Sequence, residues 1–420
     1  MTGGTGRRGR IGRRGAFLIA GFLLSVATVE GQTFSQRGFV DGSSYFFPQD
    51  APNDPTNVVG DLLLREEAFV KPAPWIQFAA GLDLRANTHD QVTDSWAIDF
   101  ADRTSRRPRV SIRRAAVTLT CGPFTLDAGK QFIRWGKTDI VTPTDRFAPR
   151  DFLNVVDSDF LAVTGVRGVA QAHDDTFEGV WVPRFTPSRV PLLDQRWTAV
   201  PPAFMSLELV DAGAELPRGA QVGVRWSHVG TGFEYAASFF NGFNHLPNFS
   251  TTLTSPMTVD VARSYPTMRM YGGDAALPTR WFTIKGEAAY FATSSPATDE
   301  YVLYVVQLER QTGEWVIVGG YAGEVVTLRR STLDFAPDRG MTKSILGRAS
   351  YTIDTSRSLA FEAAVRQTGD GVYAKAEYSQ ARGQHWRATL SGVVLGGDSD
   401  DFLGQYQRNS HVEASLRYSF

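Results

Sequence analysis

The chain has 420 residues, 43 basic and 44 acidic side chains, 12% aromatics, 40 glycines and one cysteine, Cys121. The near-cancelling charge argues against a nucleic-acid binder, and a lone cysteine rules out an internal disulfide. Past the N-terminal segment no apolar run reaches the roughly 18 residues of a membrane-spanning helix, which argues against a helical membrane protein.

In chain order the first element is a leader. Arg7, Arg8, Arg10, Arg13 and Arg14 form a basic stretch, Ala16 to Val29 is apolar, and small residues follow, with cleavage expected near Gly31/Gln32. Residues 1–31 read as a secretory signal peptide and 32–420 as the mature domain. Arg13-Arg14 with Phe17-Leu18 looks like a twin-arginine signal. That route exports folded proteins, whereas a membrane barrel crosses unfolded, so the pair reads as ordinary leader charge.

The rest is a succession of strand candidates, about eighteen. Sixteen is the alternative count, because Thr176 to Val182 and the stretch from Tyr301 to Arg330 are poorly marked. Many alternate apolar with polar residues. Ile76, Phe78, Ala80, Leu82 and Leu84 oppose Gln77, Asp83 and Arg85; Leu359, Phe361, Ala363 and Val365 oppose Glu362 and Arg366. Lys or Arg turned to lipid at mid-depth costs about 2–4 kcal/mol, so these charges are expected to face a wet lumen. Glu66-Glu67 and Arg113-Arg114 break the alternation, which predicts either a bulge or one member of each pair at a headgroup boundary.

Tight turns and longer connections alternate. Tight turns are expected at Pro72 to Pro74, Cys121 to Pro123, His173 to Thr176, Gly230 to Gly232, Leu277 to Thr279, Gln311 to Gly313, Asp354 to Ser356 and Arg382 to Gln384. Between them run Pro48 to Gly60, Thr88 to Arg107, Trp135 to Leu161, Pro183 to Gly219, Gly242 to Ser264, Thr293 to Glu300, Ser331 to Met341 and Gly396 to Asn409, with Thr368 to Gly371 the one short member. This parity is that of a transmembrane barrel with short periplasmic turns and long outer loops. The fold class is therefore all-β: a closed antiparallel transmembrane β-barrel. The last strand, Ser410 to Phe420, alternates strictly, and its terminal Phe resembles the C-terminal signal of bacterial outer-membrane barrels.

The third long connection, Gly129 to Asp159, is too long for a bare hairpin loop and too rich in Ile, Val, Phe and Leu for a solvated one. It is expected to fold into the barrel and narrow it, with Arg134, Lys137, Asp139, Asp145, Arg146, Arg150 and Asp151 at the constriction. Charge-assisted hydrogen bonds pinning the loop to the wall are favoured for its acidic and basic residues over solute binding. Its Gly129-Lys130-Gln131, Trp135-Gly136, Asp139, Thr142-Pro143-Thr144-Asp145 and Pro149-Arg150-Asp151 resemble a pattern of porin-like bacterial outer-membrane barrels related to alginate-export-type channels; Thr142 stands where that pattern has Asn. The resemblance spans about 25 residues and implies a porin or transporter barrel with no particular substrate.

A ring of this size leaves an aqueous channel. Arg85, Arg113, Asp127, Arg167, Arg225, Glu287, Arg348, Glu362, Arg366, Arg387 and Arg417 are expected to line it. The functional expectation is a porin in the outer membrane of a Gram-negative-type bacterium, passing small hydrophilic solutes by diffusion. The alternatives are a substrate-specific transporter or exporter of an apolar compound or anionic polysaccharide, a plugged structural or adhesive barrel, and, least favoured, an outer-membrane enzyme. No GxSxG or HExxH motif occurs, so no catalytic residue, cofactor or metal site is assigned. The expected partners are membrane lipids, small solutes and the barrel-assembly machinery acting on the C-terminal strand, with the chain a monomer or homotrimer.

Overall fold

In the computed structural model, residues 33–139, 141–201, 204–330 and 335–420 are described; the expected leader, 1–31, lies outside them. Among the described residues eighteen antiparallel strands close into one ring. They are β1 (Thr33–Phe46), β2 (Val58–Ala73), β3 (Ile76–Asn87), β4 (Val110–Cys121), β5 (Phe124–Gln131), β6 (Val163–Ala172), β7 (Asp175–Val182), β8 (Gln221–Gly230) and β9 (Phe233–Phe243). The second half is β10 (Thr267–Pro278), β11 (Thr283–Ala292), β12 (Glu300–Thr312), β13 (Trp315–Leu328), β14 (Ser344–Thr352), β15 (Arg357–Arg366), β16 (Val372–Arg382), β17 (Trp386–Gly396) and β18 (His411–Ser419). The ring closes where β1 pairs with β18, Asp41 opposite Arg417 and Phe46 opposite Val412. Closure removes the sheet edge that would leave unpaired backbone groups in lipid.

The alternation of the sequence becomes the two faces of the wall. Val412, Leu416 and Phe420 are exposed on the outside, as are Leu359, Phe361 and Val365, while His411 is buried inside. Exposed Trp75, Phe233, Trp281, Trp315 and Trp386 sit at the short turns, the place of an interfacial aromatic girdle.

Both irregular charge pairs have a geometric explanation. The β3–β4 register slips between Gly81 and Leu82, which face Arg114 and Ile112, so Arg113 is the extra residue of a bulge. Both arginines then reach the ring of Phe132, at 4.7 and 5.5 Å. On β2 the even-numbered residues Leu62 and Val70 are exposed outside, which puts Glu66 on that face. A side chain at Gly38 would meet both Glu66 and the Phe420 ring, so Glu66 lies level with the chain's end, at the short-turn rim. Glu67 turns inward and accepts two bonds from Arg37.

Several long connections hold regular structure of their own, and two of these departures from simple loops bear on the sheets around the wall. Gly242 to Ser264, expected as a connection, holds the strands Asn248–Ser255 and Thr258–Ser264. With Glu208–Glu215 of the preceding connection they make a separate three-stranded sheet. Its Thr- and Ser-rich strands alternate too weakly to stand out from polar loop. The second departure is in 88–109, where Ile98–Asp99 pairs in parallel with Val110–Ser111 outside the ring. That is the stretch of β4 beyond Ala115, where its pairing with β5 stops at Lys130.

Candidate functional site

The third loop, 132–162, lies inside the barrel. Its apolar side chains Ile133, Trp135 and Phe147 pack with Val180, Phe240, Met270, Phe291 and Leu303 of the inner wall. Phe147 stands edge-on to both Trp135 and Phe240, at 5.1 and 4.9 Å. Burying a side chain of this size is worth about 1.5–3 kcal/mol, which gives the loop a reason to enter the lumen.

The Gly-Lys-Gln segment makes the exit from the wall. Gly129 has φ of +120°, and a Cβ there would lie 2.2 Å from the Ala115 carbonyl oxygen, so only glycine fits. Lys130 is almost fully buried; its Nζ donates to the Phe100 carbonyl at 2.9 Å and pairs with Asp102 at 2.5 Å. It thereby fastens the second loop over the wall. Gln131 donates to the carbonyls of Asp127 and Gly165.

Inside the loop Asp145 accepts from the amides of Trp135 and Gly136, at 2.5 and 2.7 Å, and from Arg134 at 3.2 Å. Gly136 packs so closely on Thr142 that a Cβ would lie 2.6 Å away. The Trp135 indole donates to Glu178 at 2.5 Å. The guanidiniums of Arg134 and Arg150 both stack on the Phe160 ring, 4.0 and 4.2 Å from its centre.

The rest of the predicted loop set reaches across to the wall and to other loops. Lys137 pairs with Glu234 at 2.6 Å and Asp139 with Lys285 at 3.2 Å, with Gln307 donating to Asp139 as well. Arg146 meets Asp338 at 3.1 Å. Asp151 is buried between Arg107 and Arg189, at 2.9 and 3.1 Å. Burial alone would raise its pKa, but the two guanidiniums outweigh this and hold it well below the usual carboxylate range.

Glu287, expected on the pore lining, faces inward on β11 but is covered by the loop. One carboxylate oxygen accepts from the amides of Lys137 and Thr138 and the Thr138 hydroxyl, the other from the amide and hydroxyl of Thr144, all at 2.8–3.0 Å. Five neutral donors compensate one buried charge.

The other wall residues divide into paired and free. Arg167 bridges Glu178 and Asp127, Arg225 holds Asp274, and Arg366 holds Asp401. Arg85 meets Asp83 and Asp159, and Arg417 meets Asp41 at 2.7 Å. Arg113 comes within 4.0 Å of Glu67. Arg387 donates to the Ser379 hydroxyl, and Arg348 and Glu362 carry no ion pair among the described residues.

Several members of this site have no local sign in the sequence. Glu178, Asp338, Arg107, Arg189 and the 195–198 stretch are brought in from the wall and three other loops, far along the chain. His245 is another. Its ring nitrogens face the carbonyl oxygens of Thr186 and Arg146, at 2.6 and 2.9 Å. It ties the third loop to the fourth and stacks on Phe185 at 5.2 Å. Burial pushes its pKa down to about 4 against the raising effect of both carbonyls. The native ring is therefore neutral at pH 7 and donates to only one of the two carbonyls, while an unfolded or undocked histidine takes a proton near 6.5. Lowering the pH from 7 to 4 is expected to weaken this contact by about 3 kcal/mol. Protease cleavage of 183–198 would report it, and in His245→Gln the added susceptibility should lose its pH dependence.

Between the loop segment 154–159 and the inner face of β1, β2 and β3 a polar cavity of about 260 Å³ remains. Five carboxylates (Asp41, Asp61, Asp157, Asp159 and Glu413) and four arginines (Arg85, Arg107, Arg196 and Arg417) line it.

Solved structures share this architecture. OccAB4 of Acinetobacter baumannii superposes with a TM-score of 0.54 at 11% identity, covering 93% of this chain and 98% of that one. A BenF-like porin from Pseudomonas fluorescens Pf-5 gives 0.54 at 10% identity, covering 93% and 98%. OpdQ of Pseudomonas aeruginosa gives 0.51 at 8% identity, covering 92% and 98%. The likeness shows a shared fold. No family model matches the chain, and no curated protein matches its sequence.

Proposed function

We propose that the chain is an outer-membrane porin, a water-filled channel for passive diffusion of small hydrophilic solutes. The observation that carries this reading is the ring itself: eighteen strands, apolar outside and charged inside, crossed by a pinned inward loop that leaves a polar cavity. The fold shared with solved porins supports it. On this reading 1–31 is the export leader, the C-terminal strand engages the assembly machinery, and the protein works as a monomer or homotrimer. Segment 154–159 and the facing wall make the narrow part.

With five acidic against four basic groups around the passage, ion preference is expected to be weak and toward cations. The test is planar-bilayer recording of the refolded protein under a salt gradient. Ohmic steps with a small cation-side reversal potential are expected. A protein shown to be folded that carries no current through any variant would sink the reading.

A further inference from the structure

We propose that Trp197 is the outer gate of the channel, a single indole dividing an external vestibule from the passage beneath it; this rests on the channel reading above. The fourth connection was expected to be an outer loop, yet its 191–198 stretch turns into the barrel. Above it lies a second cavity of about 660 Å³, bounded by the loop residues Phe204, Phe249, Phe335 and Phe402. Of the described residues, Trp197 alone lines both this cavity and the 260 Å³ one below.

The ring is built to stay there. It is 3% exposed and belongs to a cluster with inner-wall residues Tyr373 and Leu395. It contacts Tyr406 of the last loop at 5.6 Å and, edge-on, His411 of β18 at 6.3 Å. The backbone just before it is clamped by two loops. Asn53 donates to the carbonyls of Leu193 and Gln195 at 2.9 and 2.8 Å. The Arg196 amide donates to Asp54 at 3.0 Å, and the Arg196 guanidinium donates to the Thr56 carbonyl at 2.6 Å while lying 3.8 Å from the Phe47 ring centre. Asn409 donates to the Arg196 carbonyl at 2.8 Å. A side chain packed into this cluster, with its neighbours held by the first and last loops, and lining the cavity on either side of it stands as a septum between the two. Truncating it would join the two cavities without touching the strand ladder.

The test is single-channel conductance together with liposome swelling in sugars of increasing size, on wild type, Trp197→Ala and Trp197→Phe. We expect Trp197→Ala to raise conductance at least threefold and to admit larger sugars, and Trp197→Phe to stay close to wild type. A silent wild type beside a conducting Trp197→Ala channel also supports the gate. A folded Trp197→Ala protein with wild-type conductance and size limit overturns the gate and leaves the channel reading intact. Silence from wild type and every variant overturns both. Should Trp197→Ala not fold, Asn53→Ala keeps the ring and removes two of its backbone anchors. It should then show brief openings to a higher level, and steady wild-type current would count against the gate.

Discussion

Replacing Glu287 with alanine is expected to release the third loop from the wall and to turn steady current steps into larger, fluctuating ones. The reason is local. Three backbone amides and two hydroxyls converge on this one carboxylate, and among the described residues no lysine or arginine pairs with it. A buried donor left without an acceptor costs about 1–3 kcal/mol. The hydroxyls can turn elsewhere, but the amides of Lys137, Thr138 and Thr144 cannot. Set against that loss are the segment's remaining contacts: Lys137 with Glu234 and Asp139 with Lys285, partly exposed ion pairs of small worth, the bonds between Asp139 and Gln307, and buried Val141. Glu287→Gln keeps the shape and some acceptor capacity and should fall between wild type and alanine. Bilayer recordings would check this, with resistance of the folded barrel to SDS as the control for the wall. Unchanged current noise in Glu287→Ala would show that the apolar packing of Trp135 and Phe147 holds the loop by itself.

The wall could be read from the sequence because its rule is local. Strand period, turn residues and the alternation of short and long connections each involve neighbours in the chain. They place Leu359 outside and Glu362 inside with no knowledge of the partners. The bulge at Arg113 was also visible, as two adjacent charges where one face must be apolar. The loop motif was conspicuous for its composition, and its roles follow from geometry: Gly129 for a left-handed exit, Lys130 as the fastener of the second loop, Asp145 as the internal hub. What could not be read is everything that depends on which distant side chain arrives. Glu287 looks like any inward carboxylate until the loop is laid over it. Trp197 sits in a polar, proline-flanked stretch that gives no sign of entering the lumen. The extra sheet of 208–215, 248–255 and 258–264 pairs segments from two different connections, so its signal is split between them.

Asp151→Asn is expected to destabilise the barrel's loop assembly by about 3–5 kcal/mol, because it leaves two buried guanidiniums facing a neutral side chain. Asp151 is one link in an alternating chain of buried charges: Arg107, Asp151, Arg189, Asp102 and Lys130, with contacts of 2.9, 3.1, 2.7 and 2.5 Å. Through it the second, third and fourth loops share one clamp. Asparagine keeps the bond from the Leu153 amide and the volume, so the measured loss isolates charge. The pH dependence separates this clamp from the histidine contact. Since the folded pKa of Asp151 lies below the unfolded one, near 3.9, its stabilisation is complete at higher pH and is lost only as pH falls through the folded value. Between pH 8 and 5 the wild-type and Asp151→Asn unfolding midpoints in urea should therefore run parallel, offset by a constant amount. The His245 contact should bend both curves alike as pH drops below about 6.5. Coincident curves would mean that Arg107 and Arg189 find other partners, with Asp61 beside Arg107 the first candidate. Curves that converge already at pH 5 would mean that Asp151 takes up its proton in the ordinary carboxylate range, and that the two arginines do not compensate its burial.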